Sequence, residues 1–247
     1  MRPVPPLGYA TDWLIRTFEI DARKRMTVPA LVQAMQEAAM QNVLRLGLSV
    51  WDLEPHRISW VLMKFKLDLV RLPTLGEAVH LVTYPSGFEK FFTYRDYLVY
   101  DAAGALLASA SSQWVLMDTG ARRMTRIPDW IEAHTARLSD PADWLDRPGR
   151  RLPTSDQTIG RREHVVDHYD LDFNAHLSNQ LYFRWLLQTL PDDYLAERTP
   201  TSVELHFRAE ARRHDRLTAT GSRVDEHAFA HRLTRGEQEL ATGYTRF

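Results

Sequence analysis

Tyr169-Asp170-Leu171-Asp172-Phe173-Asn174-Ala175-His176-Leu177-Ser178-Asn179-Gln180-Leu181-Tyr182 joins a polar turn to the start of an apolar segment. From Asp170 to His176 the chain is turn-prone, because short Asp and Asn side chains bond nearby backbone N–H groups and favour turns and helix N-caps. Leu181, Tyr182, Phe183, Trp185, Leu186, Leu187 and Leu190 follow. They are apolar nearly all round, which predicts a buried helix over 177–190 rather than a surface one. Such a helix is covered on all sides only if a sheet curls around it. The spacing alone leaves two readings for Asp172, Asn174 and His176. They are an Asx turn with an N-cap and a polar first-turn residue, or a carboxylate, an amide and an imidazole gathered at a helix entrance.

Working outward, a short strand is expected over 163–166, before the motif. Pro191 and Asp192 end the helix. Strands are expected over 203–209, 217–224, 227–234 and 239–247, with Gly236 at the last turn. The first part of the chain gives the same order. A strand is expected over 17–20, then a helix from Val28, capped by Thr27 and stopped by Gly47. Residues 58–70 switch to strand spacing, Val61, Met63, Phe65, Leu67 and Leu69 alternating with the intervening residues. Further strands are expected over 79–84, 91–100 and 106–117, with Asp101-Ala102-Ala103-Gly104 as a hairpin turn. Between the parts, 135–160 loses periodicity and holds Pro141, Pro148, Gly149 and Pro153, which marks a linker.

One helix wrapped by a curled antiparallel sheet, occurring twice, is an internal duplication. The expected fold class is α+β, two tandem hotdog domains forming a pseudo-dimer in one chain. The divisions are 1–134 for the first domain, 135–160 for the linker and 161–247 for the second. The chain is expected to be a monomer on this account, or to pair further as a homodimer.

Composition removes several function classes. A formal net charge of −1 offers no global basic field for nucleic acid. The absence of cysteine excludes disulfides, thiolate zinc sites and a cysteine nucleophile, and fits a reducing compartment. The N-terminus lacks a signal-like apolar region, and no run of about 18 apolar residues occurs, so a cytoplasmic location without a membrane span is the expectation. No HExxH, GxGxxG or P-loop pattern is present, so neither a metal nor a nucleotide cofactor is expected.

Asp170-Leu-Asp172-Phe-Asn174-Ala-His176-Leu-Ser-Asn179-Gln-Leu-Tyr182-Phe-Arg-Trp185 resembles the signature of acyl-acyl-carrier-protein thioesterases, a double-hotdog family of plants and bacteria. Ser178 stands where the family commonly has the first Asn of a pair. Ser202-Val-Glu-Leu-His-Phe-Arg208-Ala-Glu210-Ala211 is similar to the family segment ending in a catalytic Glu and a Cys, with Ala211 in the place of the Cys. A scheme using that Cys as nucleophile therefore does not apply to this chain. The likeness extends through Ser111-Ser112-Gln113-Trp114 and Arg122-Arg123-Met-Thr-Arg126-Ile-Pro128 in the first half.

The resemblance implies hydrolysis of fatty acyl-acyl-carrier-protein, with Asp172, Asn174, His176 and Glu210 as catalytic residues and acyl carrier protein as partner. The alternatives are a hotdog thioesterase acting on acyl-coenzyme A and a non-catalytic acyl-thioester-binding protein. Thioester hydrolysis needs an activated water and a means of holding charge on the carbonyl oxygen. Glu210 is a candidate general base, with Asp172 as the alternative. Asn174 is a candidate to position water or carbonyl, and His176 to orient the water or protonate the thiolate. Asp172 is a candidate to fix the imidazole tautomer. Free N–H groups at the helix start would receive the oxyanion. The first half has no Asp-x-Asn-x-His between Glu19 and Val28, so it is expected to supply an acyl-chain tunnel shaped by Met35, Ala38, Ala39 and Met40. Arg122, Arg123 and Arg126, with Arg208, Arg212 and Arg213, are candidate docking groups for an acidic carrier.

Overall fold

The computed structural model describes residues 4–247. Its strands are β1 (Tyr9–Leu14), β2 (Ile58–Leu69), β3 (Ala78–Glu89), β4 (Phe92–Tyr100), β5 (Leu106–Asp118), β6 (Arg123–Thr125), β7 (Thr158–Val165), β8 (Ser202–Phe207), β9 (Arg216–Arg223), β10 (Ala228–Arg235) and β11 (Gln238–Arg246). Its α-helices are α1 (Val28–Leu46), α2 (Val50–Leu53), α3 (Asp129–Glu132), α4 (Asn179–Leu187) and α5 (Asp192–Glu197).

The strands form one eleven-stranded sheet in the order β1-β3-β4-β5-β2-β8-β11-β10-β9-β7, with β6 on β5. The order β1-β3-β4-β5-β2 is repeated from the other edge as β7-β9-β10-β11-β8, so the chain is two hotdog units joined edge to edge. At the seam β2 and β8 run antiparallel, with Phe65 opposite Leu205 and Lys66 opposite Glu204. Side chains alternate faces along a strand. Phe65, Leu67, Val203 and Leu205 therefore share the inner face, against α1 and α4. Phe65 meets Tyr97 at 5.6 Å and Phe183 of α4 edge-on at 5.6 Å, which makes one core across both units.

Helix α1 has the expected ends. Thr27 Oγ1 accepts from the Ala30 N–H at 3.3 Å, and Gly47 closes the helix in the left-handed region at φ 67°. Leu31, Val32, Met35 and Ala38 are buried. Helix α4 is shorter than the expected 177–190: the N–H groups of Thr189 and Leu190 turn back to Leu186 and Leu187 in tighter bonds before Pro191.

Residues 17–19, expected as strand, form a 3₁₀ turn. The Glu19 carboxylate accepts from the Arg16 N–H at 2.8 Å and from Trp13 Nε1 at 2.9 Å, and this cap bends the chain away from the sheet. The strand of that unit lies upstream, as β1 on the edge beside β3.

The segment between the units is tied to the outer face of the sheet. Leu145 N–H donates to Asp96 at 2.9 Å, Trp144 packs against Val82, Tyr84 and Tyr100, and Lys64 Nζ donates to the Gly149 carbonyl at 2.8 Å. Strand β7 already starts at Thr158, inside the stretch expected as linker. Among the described residues no helix is long and apolar enough to cross a membrane.

Candidate active site

The turn before α4 is built on Asp172. Its Oδ1 accepts from the backbone N–H of Asn174 at 2.8 Å and of His176 at 3.1 Å. Asp172 N–H donates to the His176 carbonyl at 2.8 Å, and Ala175 between them takes φ 57°. Three backbone groups are thereby satisfied within one tight loop, whose ends meet where Leu171 pairs with Leu177. Asp172 makes no hydrogen bond to the imidazole among the described residues. Its Oδ1 is engaged by the backbone. Asn174 is exposed on the loop, and its amide has no partner among the described residues.

Glu210 follows β8 and reaches the same loop. Leu177 N–H donates to the Ala211 carbonyl at 2.9 Å. The Tyr182 hydroxyl accepts from Ala211 N–H at 3.2 Å and donates to the Ala209 carbonyl at 3.3 Å, holding the backbone on both sides of Glu210. Burial pushes the Tyr182 phenol well above its ordinary range, so it stays neutral. His176 Nε2 lies 3.1 Å from Glu210 Oε2. Arg122 Nη2 approaches the same oxygen at 3.4 Å and Arg212 Nη2 at 3.9 Å. Arg208, nearby in sequence, bonds Glu239 at 2.6 Å. Glu210 Oε1 has no hydrogen bond among the described residues, nor do the N–H groups of Asn179 and Gln180 in the first turn of α4.

The duplication supplies an internal control. An offset of 151 residues carries Asp21 onto Asp172, Arg23 onto Asn174 and Arg25 onto His176. Asp21 Oδ1 likewise accepts from the N–H groups two and four residues on, at 2.9 and 3.0 Å. Lys24 takes φ 61° as Ala175 takes 57°. Met26 N–H donates to the Pro73 carbonyl as Leu177 N–H donates to that of Ala211, so Leu72 stands where the other unit has Glu210. The geometry survives in the first unit without the chemistry. Arg23 and Arg25 there bond carbonyls at the end of α5, including Ala196 at 3.0 and 3.2 Å.

A cleft of about 2090 Å³ is lined by the loop of Asp172 to His176, by α1 and its neighbours in the first unit, and by Asp21 and Arg25 of the first unit's own loop. Asn174, His176, Glu210 and Arg122 line it beside the loop, and Met63, Trp114, Val43 and Leu46 line it from the first unit. Ala39 and Met40 border it. Met35 and Ala38, also expected to shape a tunnel, are instead packed in the core. The exposed rings of Trp51 and Phe173 meet 5.5 Å apart at the rim, one from each unit. Among the described residues no cluster of three or more His, Asp or Glu side chains could hold a metal.

The structure thus brings His176 and Glu210 into contact, keeps Asn174 on the same loop in the lining of the cleft and engages Asp172 Oδ1 with the loop backbone. Arg122, named as a candidate docking group, contacts Glu210 from the first unit. Tyr182 was visible in the apolar helix and in the family-like signature, but its hold on residues 209–211 depends on a tertiary contact.

The chain matches the family model described as acyl-ACP thioesterase N-terminal domain over residues 6–134 and that described as acyl-ACP thioesterase C-terminal domain over residues 154–247. It is 29% identical over 221 residues to the chloroplastic palmitoyl-acyl carrier protein thioesterase of Cuphea hookeriana, covering 84% of this chain and 52% of that protein. The corresponding Arabidopsis thaliana protein is 28% identical over 220 residues, with 84% and 53% covered. The chain spans about half the length of these curated relatives. A 12:0-ACP thioesterase from Umbellularia californica shares the fold with a TM-score of 0.88 at 24% identity, covering 97% of this chain and 96% of that one. An acyl-ACP thioesterase from Bacteroides thetaiotaomicron does so with a TM-score of 0.87 at 20% identity, covering 98% of each. With both units matched, the chain belongs to the acyl-ACP thioesterase family.

Proposed function

We propose that this chain hydrolyses the thioester of fatty acyl-acyl-carrier-protein, releasing the free fatty acid and the carrier thiol. The observation that carries the reading is the 3.1 Å contact between His176 Nε2 and Glu210 Oε2 in the lining of the cleft. A carboxylate with one oxygen held and the other free suits general-base activation of water, worth roughly 10²–10⁴-fold. In the proposed sequence, Glu210 takes a proton from water as the water oxygen bonds to the thioester carbon. The carbonyl electrons move onto oxygen, facing the free N–H groups at the positive end of α4. Collapse breaks the C–S bond, and the proton held by Glu210 passes through His176 to the leaving sulfur. Asn174 positions the water or the carbonyl, and Asp172 holds the loop that carries both.

Residues 161–247 would supply the chemistry and 1–134 the acyl chamber, lined by Met63, Trp114, Val43 and Leu46. Arginines lining the cleft, Arg122 and Arg212 among them, would steer an acidic carrier. No cofactor is required. The pairing of two units within the chain makes a monomer sufficient, and the lack of cysteine fits the cytoplasm.

Presenting a ladder of acyl-carrier thioesters and the matching acyl-coenzyme A esters tests the reading. Acid release is expected from the carrier series, with higher kcat/KM than from coenzyme A. Bound thioesters that survive unhydrolysed would overturn it in favour of a binding protein, and faster turnover of the coenzyme A series would move the substrate class.

A further inference from the structure

Gln36 lies on α1, in the unit without the Asp-x-Asn-x-His loop, and borders the cleft beside Asn179 at the start of α4. Its Oε1 accepts from Asn179 Nδ2 at 3.4 Å. The other end of the amide, Nε2, is buried and has no hydrogen-bond partner among the described residues. Buried donors without acceptors are rare in folded proteins and costly where they occur. In a substrate cleft the acceptor arrives with the substrate.

The pseudo-symmetry separates this contact from ordinary packing. The offset that maps Asp21 onto Asp172 also maps Val28 onto Asn179 and Gln36 onto Leu187. The equivalent positions, Val28 and Leu187, are apolar, and both belong to the core. Packing of the two helices therefore does not require amides here. The polar pair occurs at the end that carries His176 and Glu210.

We infer that Gln36 Nε2 donates to the thioester carbonyl oxygen, acting with the Asn179 and Gln180 N–H groups on the charge that develops there. The inference rests on the proposed thioester hydrolysis and adds to it a group from the opposite unit. The second unit then cannot complete its own site: the first unit supplies a hydrogen-bond donor as well as a chamber.

The test is Gln36→Met in the full chain, which keeps shape and removes the donor. The expected result is a kcat lowered about 10²-fold, with KM within about threefold and Tm unchanged. Binding of two inert analogues reports the contact directly. A ketone analogue, with CH₂ in place of sulfur, should bind about tenfold more weakly to the variant. A thioether analogue, lacking the carbonyl, should bind it as it binds wild type. Gln36→Leu, which copies the apolar residue at the equivalent position of the other unit, should lose the same activity at an equal or higher Tm. A Gln36→Met kcat within about threefold of wild type, or equal weakening of both analogues, would overturn the assignment. So would a lost kcat that returns on cooling together with a lowered Tm. A wild-type chain that cleaves no thioester would instead sink the hydrolase reading itself, so the two failures are distinct.

Discussion

Asp21 and Asp172 accept the same pair of backbone N–H groups, yet only Asp172 has Glu210 nearby. A carboxylate retained where Arg25 and Leu72 have replaced the imidazole and the acid serves the turn. Holding the turn needs an acceptor oxygen, not a base. Asp172→Asn keeps such an oxygen and should retain activity within about tenfold, whereas Asp172→Ala should lose the loop, lowering stability by about 1–2 kcal/mol together with activity. Steady-state kinetics and thermal melts of the two variants check this; a drop beyond about a hundredfold in Asp172→Asn at unchanged Tm would return Asp172 to the chemistry. At this scale the motif residues were readable because one loop carries three of them. Arg122 and Gln36 were not, since their roles come from a helix and a turn of the other unit, and sequence spacing does not encode that approach.

Elements with marked ends were read most closely from sequence. Thr27 and Gly47 bracket α1 because a hydroxyl cap and a left-handed glycine leave little freedom in where a helix starts and stops. Strand β1 was missed: an edge strand with one neighbour needs few β-formers, and the cap at Glu19 made the next stretch look extended. The end of α4 shows how an element is fixed from outside. Thr189 donates to the Leu186 carbonyl at 2.6 Å, so its oxygen accepts from His231 Nδ1 at 3.1 Å, and His231 Nε2 accepts from Thr245 at 2.9 Å. This tie between helix and sheet needs a neutral imidazole. Burial pulls the His231 pKa from 6.5 down to about 4. The unfolded chain therefore takes up a proton that the folded one refuses, and stability present above pH 6.5 is lost as pH falls toward 4. About 2 kcal/mol should disappear between pH 7 and pH 5 from this group. Denaturant midpoints at the two pH values should differ more in wild type than in His231→Gln; equal differences would remove His231 as the cause.

Across the whole molecule, one sheet seam and one core join two units that have divided their duties. The seam aligns β2 with β8, α1 lies against α4, and the cleft is lined by both units. The first unit ties its own loop to the end of α5 through Arg23 and Arg25. Duplication was legible in the repeated order of helix and strands. The strap of residues 144–149 across the outer face was not, because its contacts, Asp96, Lys64 and Glu204, become neighbours only once the sheet exists. The central claim is that segments from two ends of the second unit meet to activate one water. Its most direct measure is the single-turnover rate of acid release by Glu210→Gln from a carrier thioester, alongside the affinity for that thioester. The account predicts affinity within about threefold of wild type and a rate lowered by roughly 10²–10⁴-fold. A rate within about threefold of wild type would contradict it.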